Sequence, residues 1–202
     1  MKSLFLTLLF FTTIQALSQA QKKEYLLNEN GDITNLEAFK AKLSEGYVYG
    51  FIESDTAIVA KLVLREETGT LQPEQVKEIR EALSGLTGNS IDKSQTLIIH
   101  FFAKPNKYSE SDCIDNYVTD YTYKRFIKKN PKYARFNITA KGFVYDSKKV
   151  FEDKEGVINK YFMYGLICGN YMIILPDGRF YRMMGEYIQR DIPKKLAELE
   201  KE

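Results

Sequence analysis

The chain has 202 residues, with 29 Lys and Arg against 27 Asp and Glu and a formal net charge of +2. So even a balance gives no large field to gather nucleic acid or an anionic membrane surface. A single His excludes a histidine metal cluster and a two-imidazole relay, while fourteen Tyr, thirteen Phe and no Trp predict a core built on aromatic packing.

The N-terminus reads as a targeting segment. Lys2 precedes an apolar run ending at Phe11, and small residues stand at Ser18 and Ala20; together these are the parts of a secretory signal over residues 1–20, with cleavage near Ala20. The run is shorter than the roughly 18 apolar residues of a membrane span. The expectation is a secreted or periplasmic protein with no integral membrane segment once the signal is removed.

In chain order, Asn30-Gly31-Asp32 signals a turn, and Leu36, Phe39 and Leu43 share one helical face that stops at Gly46. Residues 47–52 and 56–64 are rich in β-branched and aromatic side chains around Glu53-Ser54-Asp55, which predicts a hairpin. Pro73 opens a helix carrying Val76, Ile79 and Leu83, ended by Gly85 and Gly88. Residues 96–103 form a nearly continuous apolar run, as a strand buried on both faces requires. Ser111 or Asp112 is the expected cap of one helix bearing Ile114, Tyr117, Val118, Tyr121, Phe126 and Ile127, closed at Asn130-Pro131. A strand over 133–139, a short helix over 156–164, a hairpin around Pro176-Asp177-Gly178-Arg179 and a helix over 192–199 complete the pattern.

From Ala57 onward this order resembles the thioredoxin fold, in the run 96–106, the hairpin 169–187 and Gly185-Glu186 before the last helix. The resemblance implies an α/β domain, a central mixed sheet flanked by helices, over residues 55–202. Residues 21–54 would be an N-terminal α/β extension. In that family the strand ending in an aromatic-aromatic-Ala run leads into a Cys-x-x-Cys at a helix N-terminus. Here Phe101-Phe102-Ala103 is followed by Asn106 and Ser109 at those places, which removes dithiol exchange there. The family's cis-proline is also missing, its place taken by Ile167-Cys168-Gly169-Asn170-Tyr171.

Cys113 and Cys168 are the chain's two cysteines. If the resemblance holds, they sit near the same end of the sheet, where a structural disulfide is expected; two separate buried thiols and a functional redox pair stay open. The same end is the expected binding surface, with Lys104, Asn106, Tyr108 and Tyr171 offering polar and aromatic contacts to a protein or peptide.

Other residues carry less chemistry. His100 lies within an apolar strand run, the setting of a satisfied core histidine rather than a general base. Glu110, Asp112, Asp115 and Asp120 lack the alternation and glycine of a calcium loop and suit helix capping. Lys124, Arg125, Lys128, Lys129 and Lys132 suit a solvated helix face, so no nucleic-acid partner is expected. Neither a metal nor a cofactor is implied. The functional expectation is a redox-inactive binding module of the cell envelope, an enzyme being the less favoured class. The alternatives are a thiol-disulfide oxidoreductase using Cys113, Cys168 or both, and a structural envelope component.

Overall fold

A computed structural model of the chain describes residues 22–105, 113–166 and 168–201. The expected signal segment lies outside them. Among the described residues no helix is long and apolar enough to cross a membrane. Strands and helices form a mixed α/β structure with two sheets.

The smaller sheet has strand order β1-β3-β2. Here β2 (Tyr47–Glu53) and β3 (Ala57–Leu64) are the expected hairpin, while β1 (Lys23–Leu27) joins β3 in parallel. Helix α1 (Leu36–Leu43) covers this sheet through Phe39 against Ala60 and Leu62, and the Asn35 side chain caps it by accepting from the Ala38 amide. The sheet differs from the expected division at residues 54 and 55, because β3 belongs with β1 and β2 rather than with the strands that follow.

Only Arg65 separates β3 from β4 (Glu66–Thr70), an edge strand of the larger sheet. That sheet runs β4-β9-β8-β5-β6-β7. At its centre β5 (Thr96–Phe102) is buried along its whole length, pairing in parallel with β6 (Tyr133–Thr139) and antiparallel with β8 (Asn170–Ile174). The hairpin partner β9 (Arg179–Met184) follows β8, and the two-residue β7 (Phe151–Glu152) touches the far end of β6.

Alternation along β5 splits the core. Leu97, Ile99 and Phe101 face α2 (Pro73–Thr87) through Ile79 and Leu83. Ile98 faces the opposite way, packing with Tyr123 of α4 (Tyr121–Lys129) and with Ile192 and Leu196 of α5 (Ile192–Leu199). A strand with helices on both faces favours apolar residues along its length, and β5 supplies them at Leu97, Ile98, Ile99, Phe101 and Phe102, with Thr96 and His100 as its buried polar residues.

Three departures from the periodicity have local causes. The single helix expected before residue 130 is two, α3 (Ile114–Thr119) and α4, because Asp120 leaves helical geometry and its carboxylate caps the Tyr123 amide at 2.8 Å. The helix expected over 156–164 reduces to one 3-10 turn, Asn159–Tyr161, since the buried Asp153 carboxylate draws in the amides of Val157, Ile158 and Asn159. Strand β4 has no apolar alternation; it is held by pairing with β9, where Glu67 meets Arg182 and the Phe180 ring lies over Gly69.

Gly50 of β2 lies against the loop that leads into β8, where a Cβ would collide with the carbonyl oxygen of Tyr164. Tyr164 is itself in the left-handed region at φ 67, and the Lys61 ammonium lies 5.2 Å from its ring centroid. Gly50→Ala is therefore expected to lower stability by about 1–3 kcal/mol, the cost of overpacking. Urea denaturation of the variant beside the parent measures it, with an unchanged midpoint contradicting the close approach.

Candidate functional site

At one end of the larger sheet, Cys113 and Cys168 are joined in a disulfide with their Cα atoms 5.6 Å apart. The bond ties the residue preceding α3 to the loop entering β8, across 55 residues of sequence. Closing a loop of that length removes chain entropy worth about 4 kcal/mol from the unfolded state.

Two residues beyond Cys168, the buried Asn170 fastens the same loop. Its Oδ1 accepts from the amides of Leu166 and Gly185, both at 3.1 Å, and its Nδ2 donates to the carbonyls of Phe101 at 3.2 Å and Leu166 at 2.5 Å. Between them, Gly169 adopts φ 89, and a Cβ there would stand 2.5 Å from the Tyr117 hydroxyl. Glycine is required twice over, by conformation and by the close approach of α3.

Behind the disulfide lies an aromatic cluster around the fully buried His100. Its Nδ1 meets the Tyr187 hydroxyl and its Nε2 the Tyr123 hydroxyl at 3.0 Å. A neutral imidazole meets both, donating through one nitrogen and accepting through the other. Tyr187 stacks on His100 and packs against Tyr117 and Tyr171, with centroids 4.7 and 4.5 Å away. The Tyr187 backbone amide also donates to the Tyr117 hydroxyl at 3.4 Å. Burial holds His100 well below the ordinary imidazole value, and the nearby Arg135 guanidinium lowers it further. Burial likewise raises the Tyr187 and Tyr123 hydroxyls, and Tyr171 is pushed up to about 12. Every member is thus held neutral at pH 7, except Arg135 beside the Tyr123 ring.

In front of the disulfide a cleft of 540 Å³ opens between α3 and the loop leaving β9. One wall carries Cys113, Asn116, Tyr117 and Asp120; the other carries residues 186–190, with Arg65 at the margin. Arg65 donates to the Glu186 carbonyl at 3.1 Å and so steadies that loop from the sheet junction. Ile188 is 58 % exposed, an apolar side chain held out beside charges of both signs.

The expected contact residues divide. Lys104 is exposed just past β5, whereas Asn106 and Tyr108 lie outside the described residues. Tyr171 is not a surface contact: it is 3 % exposed and packs inside the aromatic cluster, because its position in β8 points it toward α5. The loop 186–190 went unrecognised in sequence. Its one available signal was an Ile with Gln and Arg beside it in the short stretch between Gly185 and the last helix.

No protein-family model matches the chain, and no curated protein is significantly similar to it.

The imidazole sets a pH dependence whose sign follows from burial. Unfolded His100 titrates near 6.5, whereas the folded ring resists protonation. Above about pH 6.5 both states hold it neutral and it contributes no slope. Below that, the unfolded chain takes up a proton that the folded one refuses, so stability falls by up to about 1.4 kcal/mol per pH unit. Urea midpoints between pH 7.5 and 5 should show this decline in the parent and a flatter profile in His100→Gln.

Proposed function

We propose that this chain is an exported, thioredoxin-like binding protein that holds a protein or peptide segment in the cleft beside Cys113, without dithiol chemistry of its own. The strand order β9-β8-β5-β6, with one parallel and two antiparallel pairings and helices on both faces, supports the fold assignment. Export is supported by the apolar N-terminal run followed by small residues, together with a disulfide, a bond that persists in oxidising compartments. Redox inactivity is supported by the separation of the two cysteines and by their place in bracing two loops, in a chain without a Cys-x-x-Cys.

The observation that carries the binding assignment is the cleft itself. It combines an exposed Ile188, the aromatic Tyr117 and Tyr187, and the charged Arg65, Asp120, Glu186 and Arg190 on a frame fixed by the disulfide. Aromatic and Arg side chains around an apolar contact are what protein-recognition surfaces favour, and a rigid frame lowers the ordering cost of binding. A second possibility, thiol-disulfide exchange, draws on Cys113 lining the cleft; insulin reduction that disappears in Cys113→Ser would establish it instead.

Peptides selected from a displayed random library on the immobilised protein are expected to bind Ile188→Asp and Arg190→Glu at least about tenfold more weakly, the loss of a central contact. Both substitutions are at exposed positions, so urea midpoints should hold. Selected peptides that bind both variants as well as the parent would place recognition elsewhere.

A further inference from the structure

Gln189 opens the 3-10 turn Gln189–Asp191 and lines the cleft, yet it is only 4 % exposed. Its Nε2 and its Oε1 both lack a hydrogen-bond partner among the described residues. Buried polar atoms are nearly always bonded, so a carboxamide open at both ends calls for an explanation. The other buried carboxamides differ. Asn170 is fully bonded, and Asn137 leaves only its oxygen open while donating to the Lys149 carbonyl at 3.1 Å.

Resting on the binding function proposed above, we infer that Gln189 recognises the main chain of an extended peptide, pairing with the N–H and C=O of a single residue. The choice of ligand follows from the donor and acceptor count. A carboxylate would engage Nε2 and leave Oε1 bare; an ammonium or guanidinium would do the reverse. A residue of an extended strand turns its N–H and C=O to the same side and exchanges both bonds with its partner. The carboxamide supplies one donor and one acceptor for that exchange.

The surroundings agree. Charges near Gln189 balance, with Arg65 and Arg190 against Asp120 and Glu186, so the cleft selects neither anion nor cation. Two of the four are already engaged, Asp120 in capping the Tyr123 amide and Arg65 on the Glu186 carbonyl. Ile188, next in the chain, is exposed for apolar contact with a ligand side chain. Because neither atom of the Gln189 amide is bonded among the described residues, turning it into the cleft breaks no hydrogen bond described there. Binding would therefore satisfy two polar atoms that the free protein leaves open.

The test follows the Gln189 side-chain NH2 resonances of the full chain by NMR. N-methylacetamide, a peptide-bond analogue, is expected to shift them saturably, and methyl acetate, which has no N–H, to shift them several-fold less. No shift, or equal shifts with both probes, overturns amide recognition. For library-selected peptides, Gln189→Leu is expected to weaken binding about tenfold, two net hydrogen bonds' worth, while the urea midpoint stays level or rises because an unpaired polar group has been removed. Undiminished binding by Gln189→Leu alongside weakened binding by Ile188→Asp overturns the role of Gln189 and leaves the cleft standing. Undiminished binding by both variants overturns the cleft as well.

Discussion

Four hydrogen bonds on the Asn170 carboxamide hold together the end of the sheet on which everything else is arranged. They join the last turn of β5 at Phe101, the approach to β8 at Leu166 and the exit from β9 at Gly185. With those three strand ends pinned, Gly169 can take its left-handed conformation against Tyr117, and Cys168 is delivered to Cys113. The disulfide then fixes α3, Tyr117 receives the Tyr187 amide, and Tyr187 closes over His100. A side chain this buried and this fully bonded acts as a rigid connector, since each bond lost would strand a group that water cannot reach.

Two carboxamides at the same end of the molecule thus stand in opposite conditions. The Asn170 carboxamide is fully bonded inside the protein; among the described residues the Gln189 carboxamide has no partner. The first is the signature of architecture. The second departs from the rule that polar groups are paired before they are buried, and such departures concentrate where a protein forgoes stability for function. Near both lies the buried aromatic cluster around His100, neutral except for Arg135 beside the Tyr123 ring.

Strong apolar patterns were legible. The β5 run 96–102, the β2–β3 hairpin, the helix at Pro73 and the Asp177-Gly178 hairpin stand where periodicity and turn residues place them. Elements that depend on a distant partner were not. Strand β1 has five residues and no clean alternation, and it exists through pairing with β3 thirty-four positions later, as in Lys23 with Ala57. Strand β4, Glu-Glu-Thr-Gly-Thr, is a strand because β9 lies beside it. Asp120 and Asp153 redirect the chain through side-chain hydrogen bonds to the backbone, a competition that hydrophobic spacing does not register.

By itself, the order of residues determined an α/β chain with a nearly continuous apolar central strand, an N-terminal apolar run behind Lys2, and two cysteines far apart in sequence but near one sheet end if the resemblance held. Only the tertiary structure decided that the sulfurs bond, that Tyr171 turns inward, that β3 belongs to the smaller sheet, and that residues 186–190 form the wall of a cleft. The division has one physical cause. Periodicity records which face of an element avoids water, whereas disulfide closure, strand partnership and an unpaired buried amide depend on which distant segments are brought together, and that is a property of packing.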